Sequence, residues 1–185
     1  PHFLLRIERD EFPDDPAKIH NITEYELATR LSYFLWCSMP DEELMREARA
    51  DRLRKNLDAQ IARMLADPKS QALVANFSGQ WLETRKLATV TPDAKQFGEF
   101  DDALRDAMRQ EAELLFGTVM RENLPVTTLL DAKFTFLNER LAKHYGIDSV
   151  KGNEFRRVEL SDERRGGVLT LASVLTVTSN PTRTS

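Results

Sequence analysis

The residue pair with the clearest capacity for proton transfer is His144 and Glu139, which lie about one helical turn apart in one predicted helix. An imidazole titrates near neutral pH, and a neighbouring carboxylate would let the two side chains act as acid and base. The same residues also fit a structural role, in which His144 interacts with a helix C-terminus and Glu139 is solvated. Both interpretations stay open at the level of the sequence.

A second set of polar residues is suited to binding an anion. Ser179, Asn180 and Arg183 lie in the polar segment 178–185, where hydroxyl, amide and guanidinium groups could converge on a carboxylate or phosphate. Arg165 precedes a Gly-Gly turn and a possible helix N-terminus, which is another arrangement that binds anions. The alternative is a loop whose side chains bond only to its own turns.

The remaining potential ligands do not form a metal or haem motif. Acidic residues near the predicted long helix either favour the helix dipole or point to different faces. Neither a His-x-x-x-His nor a Glu-x-x-His pattern occurs. The lone Cys37 excludes an internal disulfide, a thiolate zinc cluster and the Cys-x-x-Cys-His attachment of a c-type haem. No metal and no cofactor are therefore predicted within this chain. The acidic residues considered are Asp101, Asp102, Asp106, Glu111 and Glu113.

The composition is that of a globular protein. Hydrophobic residues make up 41% and charged residues 30% of the 185 positions, and the net charge is −4. Acidic and basic residues are intermixed, and the lack of a basic block argues against a nucleic-acid partner. The longest apolar-leaning run, 168–177, falls well short of the roughly 20 residues of a spanning helix. The first residues do not resemble a signal peptide.

Helical periodicity dominates the chain as far as Gly146. Thr23 and Glu26 form a capping box, and Trp36 lies on the apolar stripe of the helix that follows. Phe77 and Trp81 are spaced by four and are predicted to belong to the core. These patterns predict a mainly α fold, an antiparallel helical bundle with a short strand and an irregular C-terminal segment. Further helices are predicted to begin near Asp41, Asn56, Asp67, Asp101 and Phe136.

The character of the sequence changes after Gly146. Residues 155–160 alternate apolar and polar side chains like a strand, and residues 168–175 are predicted as a helix, although threonine and valine would also suit a strand. Three segments follow from this change. They are a lead-in over residues 1–22, a helical domain over 23–153, and the start of a second domain over 154–185, which we expect to be truncated.

Several strings together identify a family resemblance that covers nearly the whole chain. They resemble multidomain, cytochrome c-like bacterial proteins that are typical of planctomycetes and are functionally uncharacterised. The strings are YELATRLSYFLW (25–36) with MPD (39–41), NFSGQWL (76–82), TFLNERLA (135–142) with HYGI (144–147), RGGVL (165–169) and TSNPTRTS (178–185).

The resemblance implies a location and an architecture. Proteins of this kind are typically exported, and a c-type haem domain commonly precedes a series of domains of unknown function. It therefore implies a periplasmic or cell-surface location, a haem elsewhere in the parent protein, and neighbouring domains or a redox partner as binding partners. It supplies no catalytic residues for this chain.

The leading hypothesis is a helical accessory or interaction domain of an exported, haem-linked protein, with an unknown reaction. The alternative is an enzyme whose site lies between the helical bundle and the C-terminal polar loop, with His144 or Glu139 as acid or base and Arg165 or Arg183 holding an anionic substrate. A third possibility, carbohydrate binding through exposed aromatic rings, would require Trp81 or Trp36 at the surface.

Overall fold

The structure is a computed structural model that describes residues 12–15, 17–93, 95–161 and 164–179. Two compact units divide the chain between Leu73 and Val74. The first unit is helical, and the second combines helices with a two-stranded antiparallel sheet. The predicted mainly α fold is confirmed. None of the helices in these ranges is both long and apolar enough to cross a membrane.

Among the described residues, the first unit consists of four α-helices, the last of which is one short turn, and a 3-10 turn. Thr23 caps the first helix as predicted, since its hydroxyl accepts from the Glu26 backbone N–H at 3.2 Å and its own N–H donates to the Glu26 carboxylate at 2.7 Å. Trp36 is 3% exposed, and its indole N–H donates to the Met64 carbonyl at 2.9 Å, so its predicted place in the core is confirmed. The elements are α1 (Glu24–Trp36), α2 (Glu42–Arg49), α3 (Leu57–Ala66), a 3-10 turn (Pro68–Ser70) and α4 (Gln71–Leu73).

The second unit opens with a π-helix, Val74–Ser78, followed by α5, Gly79–Trp81. Here the predicted burial of Phe77 and Trp81 is wrong, because their exposed fractions are 44% and 49%. The wider turn of a π-helix changes which positions face the core, and Phe77 and Trp81 lie together on the exposed side with their ring centroids 6.0 Å apart. Val74 and Ser78 are buried instead.

The long helix α6, Asp102–Arg121, carries the residues of greatest interest. A 3-10 helix, Thr84–Thr89, precedes it. Asp101 caps α6 through a 2.7 Å hydrogen bond from the Leu104 N–H, which lowers the pKa of Asp101, and Arg140 lowers it further.

Removing this cap should weaken the second unit. We expect Asp101→Ala to lower the free energy of unfolding by about 1 kcal/mol, because the Leu104 N–H loses its acceptor. Asp101→Asn should retain most of that stability, since an amide oxygen can also cap. The neighbouring Asp102, whose side chain is 91% exposed, provides the control, and Asp102→Ala should cost less. Urea unfolding measures all three variants, and equal losses for Asp101→Ala and Asp102→Ala would contradict the assignment of the cap.

After α6 the chain forms α7, Thr128–Asp131, and then the strand β1, Phe134–Leu137. The predicted helix over 136–145 is therefore wrong in its first part. Phe136 pairs with Arg157 of the strand β2, Arg156–Glu159, in an antiparallel register, and the helix begins only afterwards. Asn138 caps this helix, α8, Glu139–His144, by accepting from the Leu141 N–H at 3.0 Å.

The last described elements are a 3-10 turn, Val168–Thr170, and α9, Ala172–Thr178. The predicted strand over 155–160 is confirmed by β2, and the predicted helix over 168–175 corresponds to these two elements. Because β2 pairs with β1 and α9 contacts α6, residues 156–178 share a compact unit with the preceding helices. The domain boundary between residues 153 and 154 stays a prediction.

Candidate functional site

The centre of the second unit contains a fully buried carboxyl group. Glu111 lies on α6 with no exposed surface, between the buried Met108 and Ala112. The Thr135 hydroxyl donates to its Oε1 atom at 2.6 Å, and the Tyr145 hydroxyl donates to its Oε2 atom at 2.6 Å. A buried carboxyl is costly unless its oxygens are hydrogen-bonded, and both oxygens of Glu111 have a donor.

Four elements hold this network together. Glu111 lies on α6, Thr135 lies on β1, and Tyr145 directly follows α8 as its C-cap residue. The Tyr145 hydroxyl also accepts from the Ala172 N–H, the first residue of α9, at 2.8 Å. A single phenol thus connects a buried acid to the N-terminus of another helix, where backbone N–H groups lack partners within the helix.

Burial controls the protonation of the network. Desolvation raises the pKa of Glu111 to about 7, although the Thr135 and Tyr145 hydroxyls favour the ionised form. The pKa of Tyr145 is raised well above its usual value, first by burial and then by the Glu111 carboxyl. Glu111 therefore changes charge near neutral pH, whereas Tyr145 remains a hydrogen-bond donor.

A partly buried guanidinium lies above the network. The Arg165 guanidinium stacks on the Tyr145 ring, 4.2 Å from the ring centroid. Among the described residues, no side chain or carbonyl forms a hydrogen bond or ion pair with it. The buried Glu111, which lines a small cavity together with Arg165, already uses both oxygens for hydroxyl donors. The N–H donors of this guanidinium can therefore bind an anion.

Tyr145 and Arg165 also line a cleft of about 720 Å³ in the second unit. Its polar lining residues include His144, Glu99 and Ser179, together with Thr91, Gln96 and Thr176, and the rest of the lining is mostly apolar. Burial lowers the pKa of His144, and the positive charges of Arg140 and Arg165 lower it further. The main apolar residues of the lining are Phe97, Phe100, Leu104, Met108, Ala172 and Leu175.

The cleft brings together three of the six site residues predicted from the sequence, His144, Arg165 and Ser179. Glu139 does not line it, because its carboxylate accepts from the Gly152 N–H at 2.7 Å and lies 3.8 Å from the Lys151 amine. Two further predicted residues, Asn180 and Arg183, lie outside the described residues. Their proposed role in binding an anion stays a prediction.

Glu111, Thr135 and Tyr145 were not predicted as site residues. The sequence contains one signal for Glu111, since it lies on the apolar stripe of α6, where Leu104 and Leu115 are seven and four residues away. A charged side chain on such a face is costly and so indicates a specific partner. No group of three or more potential ligands that could hold a metal ion occurs within the described ranges.

Removing the Tyr145 hydroxyl should break the network at its centre. We expect Tyr145→Phe to lower the free energy of unfolding by about 2–3 kcal/mol, because Glu111 loses a donor and the Ala172 N–H loses its acceptor. Tyr25, which is 49% exposed, provides the control, and Tyr25→Phe should change stability by less than about 0.5 kcal/mol. Urea unfolding compares the two. A loss for Tyr145→Phe no larger than that for Tyr25→Phe would show that the network is not stabilising.

Sequence comparison places this site in a family. The chain matches the family described as PSD4, Protein of unknown function (DUF1592), over residues 22–147. The matched range includes Glu111, Thr135 and Tyr145, whereas Arg165 lies beyond it. No curated protein and no solved structure matches the chain. Because the match spans more than half of the sequence, the chain belongs to the PSD4 (DUF1592) family of proteins of unknown function.

Proposed function

We propose that this chain is an accessory domain that holds a small, largely apolar ligand in the cleft of its second unit. The observation that supports the proposal is the cleft itself. Its volume of about 720 Å³ lies within the roughly 300–1,000 Å³ of typical small-molecule sites. Its mostly apolar lining with a smaller number of polar groups matches the usual composition of such sites.

A neutral, solvatochromic dye such as Nile red tests the proposal without relying on charge. We expect saturable binding with increased fluorescence, and we expect Leu175→Glu to abolish it by placing a charge against the apolar wall. Leu169→Glu is the matched control, because Leu169 is 63% exposed and does not line the cleft. Dye binding that survives in Leu175→Glu, or no binding to the unmodified chain, would contradict the proposal.

We further propose that the domain acts within an exported, haem-linked multidomain protein, where it packs on neighbouring domains or presents its ligand to a redox partner. This part rests on the resemblance of the sequence to planctomycete cytochrome c-like proteins. The test is a pyridine haemochrome spectrum of the parent protein, purified from the periplasmic or surface fraction of its source cells. A parent that lacks haem or stays in the cytoplasm would overturn it.

A second function, an acid–base enzyme that uses the same cleft, is favoured by one observation. Glu111 has a pKa of about 7 and receives a 2.6 Å hydrogen bond from Tyr145, whose ring lines the cleft. Such a pair could relay a proton to a bound molecule. Hydrolysis of p-nitrophenyl octanoate is a suitable probe reaction. We expect Glu111→Gln to reduce the rate of this hydrolysis at least tenfold relative to the unmodified chain. If the unmodified chain hydrolyses the ester no faster than buffer alone, this function is contradicted.

A further inference from the structure

The cleft has an uneven distribution of charge around His144. Arg165, His144 and Glu99 all line it, and Arg140 lies close by, where it donates to the Glu99 backbone carbonyl and pairs with Asp101 at 3.3 Å. Arg140 therefore already has an anionic partner. The charges of Arg140 and Arg165 both act on His144 more strongly than the Glu99 carboxylate does. Around His144 the field is therefore positive in spite of that carboxylate.

Arg165 is the group best placed to use this field. Its guanidinium is held against the Tyr145 ring, and stacking of this kind fixes the orientation of its planar fork of N–H donors. Within the described ranges it forms no hydrogen bond or ion pair, and Glu111 below it is occupied by two hydroxyl donors. A guanidinium fork matches a carboxylate in two parallel hydrogen bonds. Because only one unpaired cation lines the cleft among these residues, the matching charge is a single negative one.

The apolar part of the lining determines the rest of the ligand. Leu104 and Met108 are almost completely buried and form a wall from α6, while Leu175 from α9 and Phe97 are partly exposed and face the same space. Such a lining favours burial of hydrocarbon, which stabilises binding by about 25 cal/mol per Å² of apolar surface removed from water. Among the residues that line the cleft, Arg165 is the only arginine or lysine, so ionic recognition of the ligand depends on it.

We propose that the cleft recognises a small monocarboxylate with an apolar body, whose carboxylate binds the Arg165 guanidinium and whose body lies against Leu104, Met108 and Leu175. This inference rests on the proposed ligand-holding function and adds the chemical class of the ligand. His144 contributes a second donor at the same end, and Tyr145 orients Arg165 by stacking.

Isothermal titration with three probes tests the inference on the full chain. Octanoate combines both features, 1-octanol has the apolar body without the charge, and acetate has the charge without the body. We expect octanoate to bind at least tenfold more tightly than either of the others. Arg165→Gln should weaken octanoate binding about 10- to 100-fold, as expected for a lost hydrogen bond to a charged group, and should leave 1-octanol binding unchanged. Arg164→Gln, at the adjacent position outside the cleft lining, is the charge-matched control.

The outcomes separate this inference from the function on which it rests. Equal affinities for octanoate and 1-octanol, with both abolished by Leu175→Glu, would overturn the carboxylate class and leave the ligand-holding function in place. Octanoate binding that is equally affected by Arg165→Gln and Arg164→Gln would also overturn it, because attraction would then be non-specific. Retained 1-octanol binding by Arg165→Gln shows that this variant folds.

Discussion

Gly167→Ala is expected to destabilise the second unit by about 3–5 kcal/mol, the largest effect of any single substitution considered. Gly167 has φ +63° and ψ −178°, a conformation that is essentially restricted to glycine. A Cβ atom there would lie 2.2 Å from the Leu130 carbonyl oxygen and 2.6 Å from the Leu129 carbonyl oxygen. These neighbours are backbone atoms, so the clash cannot be relieved by a change of rotamer.

Gly146→Ala separates the clash from the backbone strain. Gly146 also has a positive φ, +71°, but a Cβ atom there would meet nothing within 4 Å. We expect Gly146→Ala to lower the free energy of unfolding by about 1 kcal/mol, which is the contribution of backbone strain alone. Hydrogen exchange of the buried α6 amides reports the stability of the second unit for both variants. Similar losses for the two variants would show that the Gly-Gly turn does not pack closely against residues 129 and 130.

The second large effect is a pH dependence of stability caused by Glu111. Its pKa is about 7 in the folded chain and 4.5 in the unfolded reference, so the folded state binds the proton more tightly. The stabilisation from this group is therefore complete below pH 4.5 and is lost as the pH rises through about 7. At about 1.4 kcal/mol per pKa unit, the loss is on the order of 3 kcal/mol.

The variant Glu111→Gln isolates this contribution because an amide does not titrate. We expect the difference in unfolding free energy between the unmodified chain and Glu111→Gln to fall as the pH rises from 4.5 to 7.5, since the other titrating groups cancel in the difference. Glu113→Gln is the matched control. Glu113 lies on the same helix and pairs with Arg109 at 2.6 Å, and its variant should retain the pH dependence of the unmodified chain. A difference that rises with pH would mean that Glu111 is a stabilised anion.

Local signals in the sequence predicted the helices well. The capping box at Thr23 and the cap at Asp41 depend on residues within four positions, and both form as predicted. Gly146 likewise has the left-handed conformation of a residue that ends a helix, at the position where the helical periodicity of the sequence stops. Short-range patterns of this kind determine where helices begin and end whatever the tertiary structure.

Features that depend on distant contacts were missed. Residues 134–137 have a pattern that also fits a helix, and they become a strand because residues 156–159 pair with them. The exposed positions of Phe77 and Trp81 follow from the change of helical register at the π-helix, which a spacing of four residues does not reveal. Secondary structure was therefore predicted best where it is decided locally.

The candidate site shows the same division. His144, Arg165 and Ser179 were predicted from residue type and line one cleft, although nothing in the sequence showed that they would meet. Glu111 was not predicted as a site residue, because its hydroxyl partners are 24 and 34 residues away in the sequence. The pairing of Glu139 with the Gly152 N–H, which removes it from the cleft, was equally inaccessible.

The central claim, that the cleft of the second unit binds a small ligand, is tested most directly by locating the bound probe. A titration of the ¹⁵N-labelled chain with octanoate, followed by heteronuclear NMR, should give saturable shifts at the backbone amides of Phe97 and Leu175 and at the Arg165 Nε–H group. The core of the first unit, around Leu44 and Met64, should not shift. Largest shifts in α1–α3, or shifts that do not saturate, would contradict the claim.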